Sequence, residues 1–470
     1  MGTTADKLAY LEETKAEICG ALEAKGAGAA SAATFREYAQ LILGLEGSSP
    51  RKDVNFLDYD GGIVASFTLD ELEGLGAPPA APEHEGLVFL CWTQSLESLR
   101  SEARPADVGA VYGTDDGATR LMLSIGDVCR GDISLVFRQS VGSGVEVDWG
   151  DGSAAETFPD STVFCSHDYA SPGDYTLSLL PAEGCVLTLG DGTADNGLMG
   201  DAYALSRAQA ASLKRLHLGA RTVVGDYAFN GCCGLRCLTL PNSVTELGEC
   251  AFQGCTALTA AVLPPSLLSI GDMAFLMCSA LRDVVFAPCD VGYAAFSTCA
   301  ALRSVCLPGG VEAIADEAFF GCTGIDRLSL PEGLLSIGAY AFYSCSGLTG
   351  LSLPDSLVSL GDSAFYLCYS LSKLDMGAGL EDIGASAFNC CSAFASVTLP
   401  SGLAGIGDAA FGFCQGAGRF VLQTLVPPSA GDAIFDGLQD DCVILVPPGS
   451  LSAYLAAEGW SEYADYIQAQ

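Results

Sequence analysis

The sequence predicts a multidomain chain: a solenoid of α/β character with a parallel sheet and about ten stacked 23-residue rungs, preceded by a small β-sandwich and an N-terminal helical hairpin. Three observations predict it. An Ala-Phe pair recurs with Phe at 229, 252, 275, 296, 319, 342, 365, 388 and 411, every spacing being 23 residues except one of 21. A tenth, degenerate copy, Ile434-Phe435, arrives one residue late. Residues 121–190 follow a strand-like pattern, and residues 1–46 place apolar residues at helical spacing. A unit of 23 residues is too small to bury its own apolar side, so the repeat has to be a stacked array.

Composition narrows the function. The 470 residues carry 57 acidic against 21 basic groups, a net charge of −36, which disfavours binding to nucleic acid or to an anionic membrane surface. No apolar run of about 18 residues occurs, so no membrane insertion is expected. Only three histidines, His84, His167 and His217, are available for acid–base or zinc chemistry. The start, Met1 to Lys7, lacks the apolar core of a signal peptide. With 21 cysteines, the chain is expected to fold with reduced thiols in the cytosol.

Residues 1–46 read as two helices, with Leu8, Leu11, Ile18 and Leu22 on the first and Phe35, Tyr38, Leu41, Ile42 and Leu45 on the second. So short a segment builds no robust core and is expected to pair with another chain or dock elsewhere. The stretches Lys7–Lys15 and Thr34–Ala39 resemble the start of tail proteins encoded by phages and prophages of gut Firmicutes. That resemblance implies attachment to other tail or baseplate proteins, a homo-oligomer such as a trimer, and a place in a virion assembled in the cytoplasm.

Residues 53–120 form a mixed α/β segment of unassigned role. Asp53–Gly62 reads as strand and turn, with Asp58 and Asp60 better explained by an Asp-Gly turn than as metal ligands. Thr68 or Asp70 caps a short helix to Leu75, and His84 between Glu83 and Glu85 is a candidate site residue. In residues 121–190, Trp149-Gly150-Asp151-Gly152 and His167-Asp168-Tyr169 followed by Pro172-Gly173-Asp174-Tyr175 resemble the polycystic-kidney-disease-type β-sandwich. The resemblance implies a spacer or binding module, with Asp151 shaping a turn and His167 and Tyr169 locking loops.

In residues 213–446 each unit carries an alternating strand such as Leu351-Ser352-Leu353, a Pro that ends it, and an Ile-Gly that turns the chain. The Ala-Phe pair is expected on a short helical turn. These units resemble the BspA-like leucine-rich repeat family, which implies a right-handed solenoid, a role in surface-exposed binding and adhesion, and no catalytic residues. Residues 447–470, with Tyr454, Leu455, Trp460 and Tyr463, resemble the closing cap that follows such repeats in gut bacterial proteins.

Three columns of the repeat are candidates for chemistry. Three residues after each Phe stands a Cys, from Cys232 to Cys414; its linear spacing suits a small buried apolar residue better than a disulfide or metal cluster. Three residues before the Phe a carboxylate recurs, as Asp226, Glu249, Asp272, Asp316, Asp362, Asp408 and Asp432, read either as a calcium stripe or as caps on the following turn, with caps preferred. Directly after the Phe come Phe320, Tyr343 and Tyr366, with Tyr340 and Tyr369 close by, a candidate ligand-binding patch that could instead pack over the convex face.

No catalytic, cofactor or metal residue is assigned. The sequence reads as a non-enzymatic binding protein, a phage or prophage tail-associated one recognising a host-surface protein or glycan through the solenoid. The alternative is a bacterial cell-surface or secreted adhesin of the BspA-like type, and the rival class a glycan-active enzyme.

Overall fold

The computed structural model describes residues 52–102, 104–126, 132–140, 144–190, 198 and 211–470. The helices expected over 1–46 lie outside the described residues.

The repeats stack into a β-solenoid of about eleven turns. Each full rung contributes two short strands. In the alternating strand, Gly350–Ser352 pairs in parallel register with Lys373–Asp375, so that Leu351 faces Leu374 across the rungs. Leu351 is buried while Ser352 is exposed, as a two-residue period demands. The Ile-Gly region supplies a second strand: Ala313–Ile314, Ser336–Ile337, Ser359–Leu360, Asp382–Ile383, Gly405–Ile406 and Ser429–Ala430 form one six-stranded parallel sheet.

The α/β expectation is corrected for the solenoid: it is mostly sheet, and the Ala-Phe pair lies on tandem turns. Tyr340 and Ser344, which flank Phe342, are left-handed, with φ of 56° and 60°. The N–H groups of Tyr340, Phe342 and Ser344 donate to the carbonyls of Asp362, Ala364 and Tyr366 in the next rung, at 2.7–2.8 Å. A helix would have turned those donors along its own axis; here the neighbouring rung satisfies them.

The interior is built in columns. Each Phe from Phe229 to Phe435 stacks on its neighbour with centroids 5.1–5.9 Å apart. Beside it, each thiol from Cys255 to Cys414 donates to the Phe carbonyl of the preceding rung at 3.1–3.4 Å. Burial pushes the thiols of Cys255, Cys278, Cys299, Cys322, Cys345, Cys391 and Cys414 up, Cys322 to about 12, which leaves them protonated and poor nucleophiles.

Both ends of the stack are covered. Phe435 in the last rung donates its N–H to the Tyr463 hydroxyl at 3.3 Å, where a further rung would have offered a carbonyl. Trp460 is fully buried on the same rung and its indole donates to the Pro428 carbonyl at 2.8 Å. At the other end the strands expected over 121–190 are present, and their two sheets run straight into the repeats. Thr119–Ile125 pairs with Gly173–Pro181 and Leu213–His217, and the latter pairs in parallel with Cys237–Thr239. Asp132–Gln139 pairs with Thr162–Asp168 and Leu187–Leu189, and the latter with Thr222–Val224. One hydrophobic core passes through both regions. At its surface Asp151 accepts from the Ser153 N–H at 2.9 Å and pairs with His167 at 2.7 Å, while buried Tyr169 donates to the Trp149 carbonyl at 2.7 Å.

Residues 53–120 build a four-stranded sheet in the order Ile63–Phe67, Val54–Leu57, Ala106–Thr114, Leu87–Trp92. Helices Leu69–Glu73 and Leu96–Glu102 cover one face; Thr68 caps the first in a reciprocal box with Glu71. The other face docks on the alternating strands of the early rungs. Leu57 and Val111 pack on Val262 and Val285. A Cβ on Gly109 would stand 2.5 Å from Val262 Cγ1, so glycine sets the approach. Asp107 accepts from Ser304 at 2.9 Å, and Arg104 donates to Ser329 at 3.0 Å.

Candidate binding surface

The junction between this sheet and the first rung gathers Asp58, Tyr59, His84, Tyr112 and His217. His84 Nε2 pairs with Asp58 Oδ2 at 2.8 Å, and Tyr112 donates to the Pro82 carbonyl at 3.0 Å. Tyr59 contacts His84, Tyr112 and His217 edge-on, with centroids 4.9–5.8 Å apart. Asp60 accepts from the Gly62 N–H at 2.9 Å, closing the turn that its sequence predicted. These contacts hold loops. Among the described residues no group of three His, Cys, Asp or Glu is placed to hold a metal ion.

His217 makes the junction sensitive to pH. Burial, reinforced by Arg215, Arg120 and His84, pulls its pKa down to about 4 from an ordinary 6.5. The folded state therefore binds fewer protons than the unfolded state between those values. Stability is fully present above about pH 6.5 and declines as pH falls toward 4, by on the order of 3 kcal/mol. The expected result is a urea midpoint that drops over this window in the native chain and drops less in His217→Gln, which keeps an amide facing Thr239. Equal drops in both chains would assign the effect elsewhere.

The carboxylate column has a different role from the expected cap. Asp226, Asp316, Asp362 and Asp408 accept from the backbone N–H of Glu249, Ala339, Ala385 and Asp432, each one rung further on, at 2.7–2.8 Å. Asp272 reaches Tyr293 in the same way at 3.1 Å. The turn after each Asp needs no cap because its donors already point at the next rung, so the carboxylate staples rung to rung instead.

The aromatic column forms a ladder on the outside of the turns. Phe320 and Tyr343 stack with centroids 4.7 Å apart and planes 6° from parallel; Tyr343 and Tyr366 follow at 5.1 Å and 3°. All three are half-buried. Tyr340 tilts against Tyr343 at 5.9 Å and is 42% exposed, and Tyr369 is 50% exposed. All five predicted residues thus lie on one ridge of three neighbouring rungs. Tyr343 has both faces taken up by its neighbours, and Phe320 and Tyr366 each have one face stacked on it.

Two features went unread in the sequence. Tyr293, 40% exposed, takes the carboxylate position in the shortened rung and donates to Glu317 at 3.2 Å. The docking face was signalled by its outward positions: Val262, Val285 and Cys306 are buried and apolar where later rungs have Ser352, Asp375 and Thr398, and buried Ala260 stands where they have Lys373 and Ser396.

The rung plan of paired short strands, Phe column and proline-terminated leucine strand defines a leucine-rich-repeat solenoid. Residues 208–322 and 289–417 match the BspA type Leucine rich repeat region, in six copies, so this part of the chain is similar to that family. No curated protein matches the chain. Among solved structures, a leucine-rich repeat protein from Bacteroides ovatus is 21% identical over 57% of this chain and 80% of its own, with a TM-score of 0.37. A leucine rich cell surface protein from Faecalibacterium prausnitzii is 21% identical over 46% and 83%, with a TM-score of 0.24. The Treponema pallidum leucine-rich repeat protein is 27% identical over 40% and 67%, with a TM-score of 0.25.

Proposed function

We propose that this chain is a non-enzymatic binding protein of the surface-adhesin type, secreted or held at a bacterial surface, that engages a partner through the turn side of its solenoid. The observation that carries the reading is the Phe320–Tyr343–Tyr366 ladder with Tyr340 and Tyr369 beside it. Aromatic residues with half their surface in water are the usual anchors of protein interfaces. Stacking takes both faces of Tyr343 and one each of Phe320 and Tyr366, faces that a sugar ring would need, so a protein partner is favoured over a glycan. The BspA-like array supports adhesion. The tail-protein reading drew on residues 1–46, outside the described residues, and the array gives it no support.

The test is binding of the full chain to candidate host cells or matrix proteins, compared with Phe320→Ser/Tyr343→Ser/Tyr366→Ser. The triple variant is expected to lose about tenfold or more in affinity while its melting curve keeps a single transition. Undiminished binding by the variant rejects the ladder as the contact surface.

A further inference from the structure

The basic groups of the array are sorted by side, while acidic groups such as Asp283, Asp326 and Asp375 stand at or beside the alternating strands as well. Residues 221–470 contain seven basic groups: Arg221, and six that each stand seven or eight residues after a repeat Phe, at or beside an alternating strand. These six are Arg236, Arg282, Arg303, Arg327, Lys373 and Arg419. The turn ridge that bears the aromatic ladder carries no Lys or Arg from three residues before to four after any of its Phe residues, but it carries Asp316, Glu317 and Asp362 within the ladder's own rungs. Asp316 and Asp362 are exposed, and the bond each makes to the next rung occupies one carboxylate oxygen. The local field is negative enough to register on a neighbour: Glu317, with Asp316 and Asp272, pushes the Tyr293 phenol up from its ordinary value.

We propose that the ladder's partner is a Lys/Arg-rich protein segment. The inference rests on the ridge being the binding surface. Exposed aromatic edges take the aliphatic stems of long cationic side chains, and the flanking carboxylates take their charged heads. The basic residues stand at or beside the alternating strands and none stands in the turns that bear the ladder, and charges separated by more than roughly 8 Å are largely screened in physiological salt.

The probe is a labelled peptide of Arg-Ala-Pro repeats, with Glu-Ala-Pro and Ser-Ala-Pro peptides of equal length as comparisons, titrated against the full chain at low and at physiological salt. The Arg peptide is expected to bind, more weakly in salt, and the other two are not. Asp316→Asn/Glu317→Gln/Asp362→Asn keeps every acceptor oxygen that the fold uses while removing three charges, and is expected to cost about tenfold. Glu146→Gln/Asp160→Asn/Asp174→Asn removes the same charge from exposed positions off the array and is expected to change little. Equal losses in the two variants would mean that net charge alone attracts the peptide, and the inference falls. It falls too if the Ser peptide binds as well as the Arg peptide, or if the Arg peptide does not bind. In those cases a triple aromatic variant that still fails on host cells leaves the ridge as the binding surface with a different partner. A triple variant that binds host cells normally overturns the reading beneath both.

Discussion

Replacing Phe342 with Ala is expected to destabilise the chain by about 3–5 kcal/mol and to split its unfolding into two steps. Phe342 is fully buried and stacks at 5.1 Å on both Phe319 and Phe365. Its neighbours are held by the backbone of their own rungs and have little freedom to close the cavity, which places the cost at the upper end of the range for such truncations. In a solenoid each rung touches only the rungs on either side, so a weakened middle rung also lowers the coupling between the two halves. The protein carries its own reporters. Trp149 is buried in the sheets that precede the first rung and Trp460 in the cap over the last. With Trp92 replaced by Phe in both chains, urea unfolding followed through each indole separately is expected to give coincident transitions with Phe342 in place. The same two transitions are expected to separate in Phe342→Ala. A midpoint shift worth less than about 1 kcal/mol, with the two signals still superimposed, would show that the Phe column is not the element that couples the rungs.

What the sequence made legible follows the range of the interactions. The 23-residue period, the buried Phe and Cys columns and the alternating Leu strand are set by which side chains can face a core, and that is written locally. The partner of each backbone group is not. The Ala-Phe turn read as a helix because both conformations make local bonds of similar span, such as Tyr343 N–H to the Tyr340 carbonyl at 3.1 Å. What decides between them is whether Phe342 donates within its own turn or to Ala364 in the next rung. The Asp column misled for the same reason: Asp316 before a turn looks like a cap, while its acceptor role is played toward Ala339, 23 residues away.

The candidate site was legible to the extent that it obeys the period. Phe320, Tyr343 and Tyr366 share one position and were found together, and the structure stacks them. Tyr293 escaped because its rung is two residues shorter, at a spacing of 21. That rung also lacks the Ile-Gly strand of its neighbours and keeps only an isolated bridge from Val291 to Ile314. The docked sheet of residues 53–120 was hidden for a different reason. Its footprint is a set of departures from the repeat, Val262 and Val285 facing outward where polar residues belong, and a single rung with an apolar outward residue means nothing until several adjoin.

The repeated glycine after Ile yields the second large effect. It looks like a turn residue, but Gly361 does not adopt the positive φ that would require glycine. Its constraint is proximity: a Cβ there would lie 2.5 Å from the Gly338 carbonyl carbon, 2.8 Å from its oxygen, and against the Ala339 nitrogen. The obstruction is backbone of the preceding rung, which has no rotamer to change. Gly361→Ala therefore has to pry two hydrogen-bonded rungs apart, including the Gly361 N–H bond to the Ile337 carbonyl at 2.8 Å. The expected loss is about 2–4 kcal/mol, above the usual cost of an extra methyl because the wall does not give. Gly350, on the alternating strand that opens the same repeat, supplies the contrast. The nearest atom to its added Cβ is Lys373 Cβ at 3.8 Å, so Gly350→Ala is expected to change stability by less than about 0.5 kcal/mol, with the lower entropy of the unfolded chain working in its favour. Urea midpoints of the two variants decide the matter. Similar losses at both positions would mean that glycine in this repeat is selected by chain flexibility; a loss confined to Gly361 would mean that the rung spacing itself selects it.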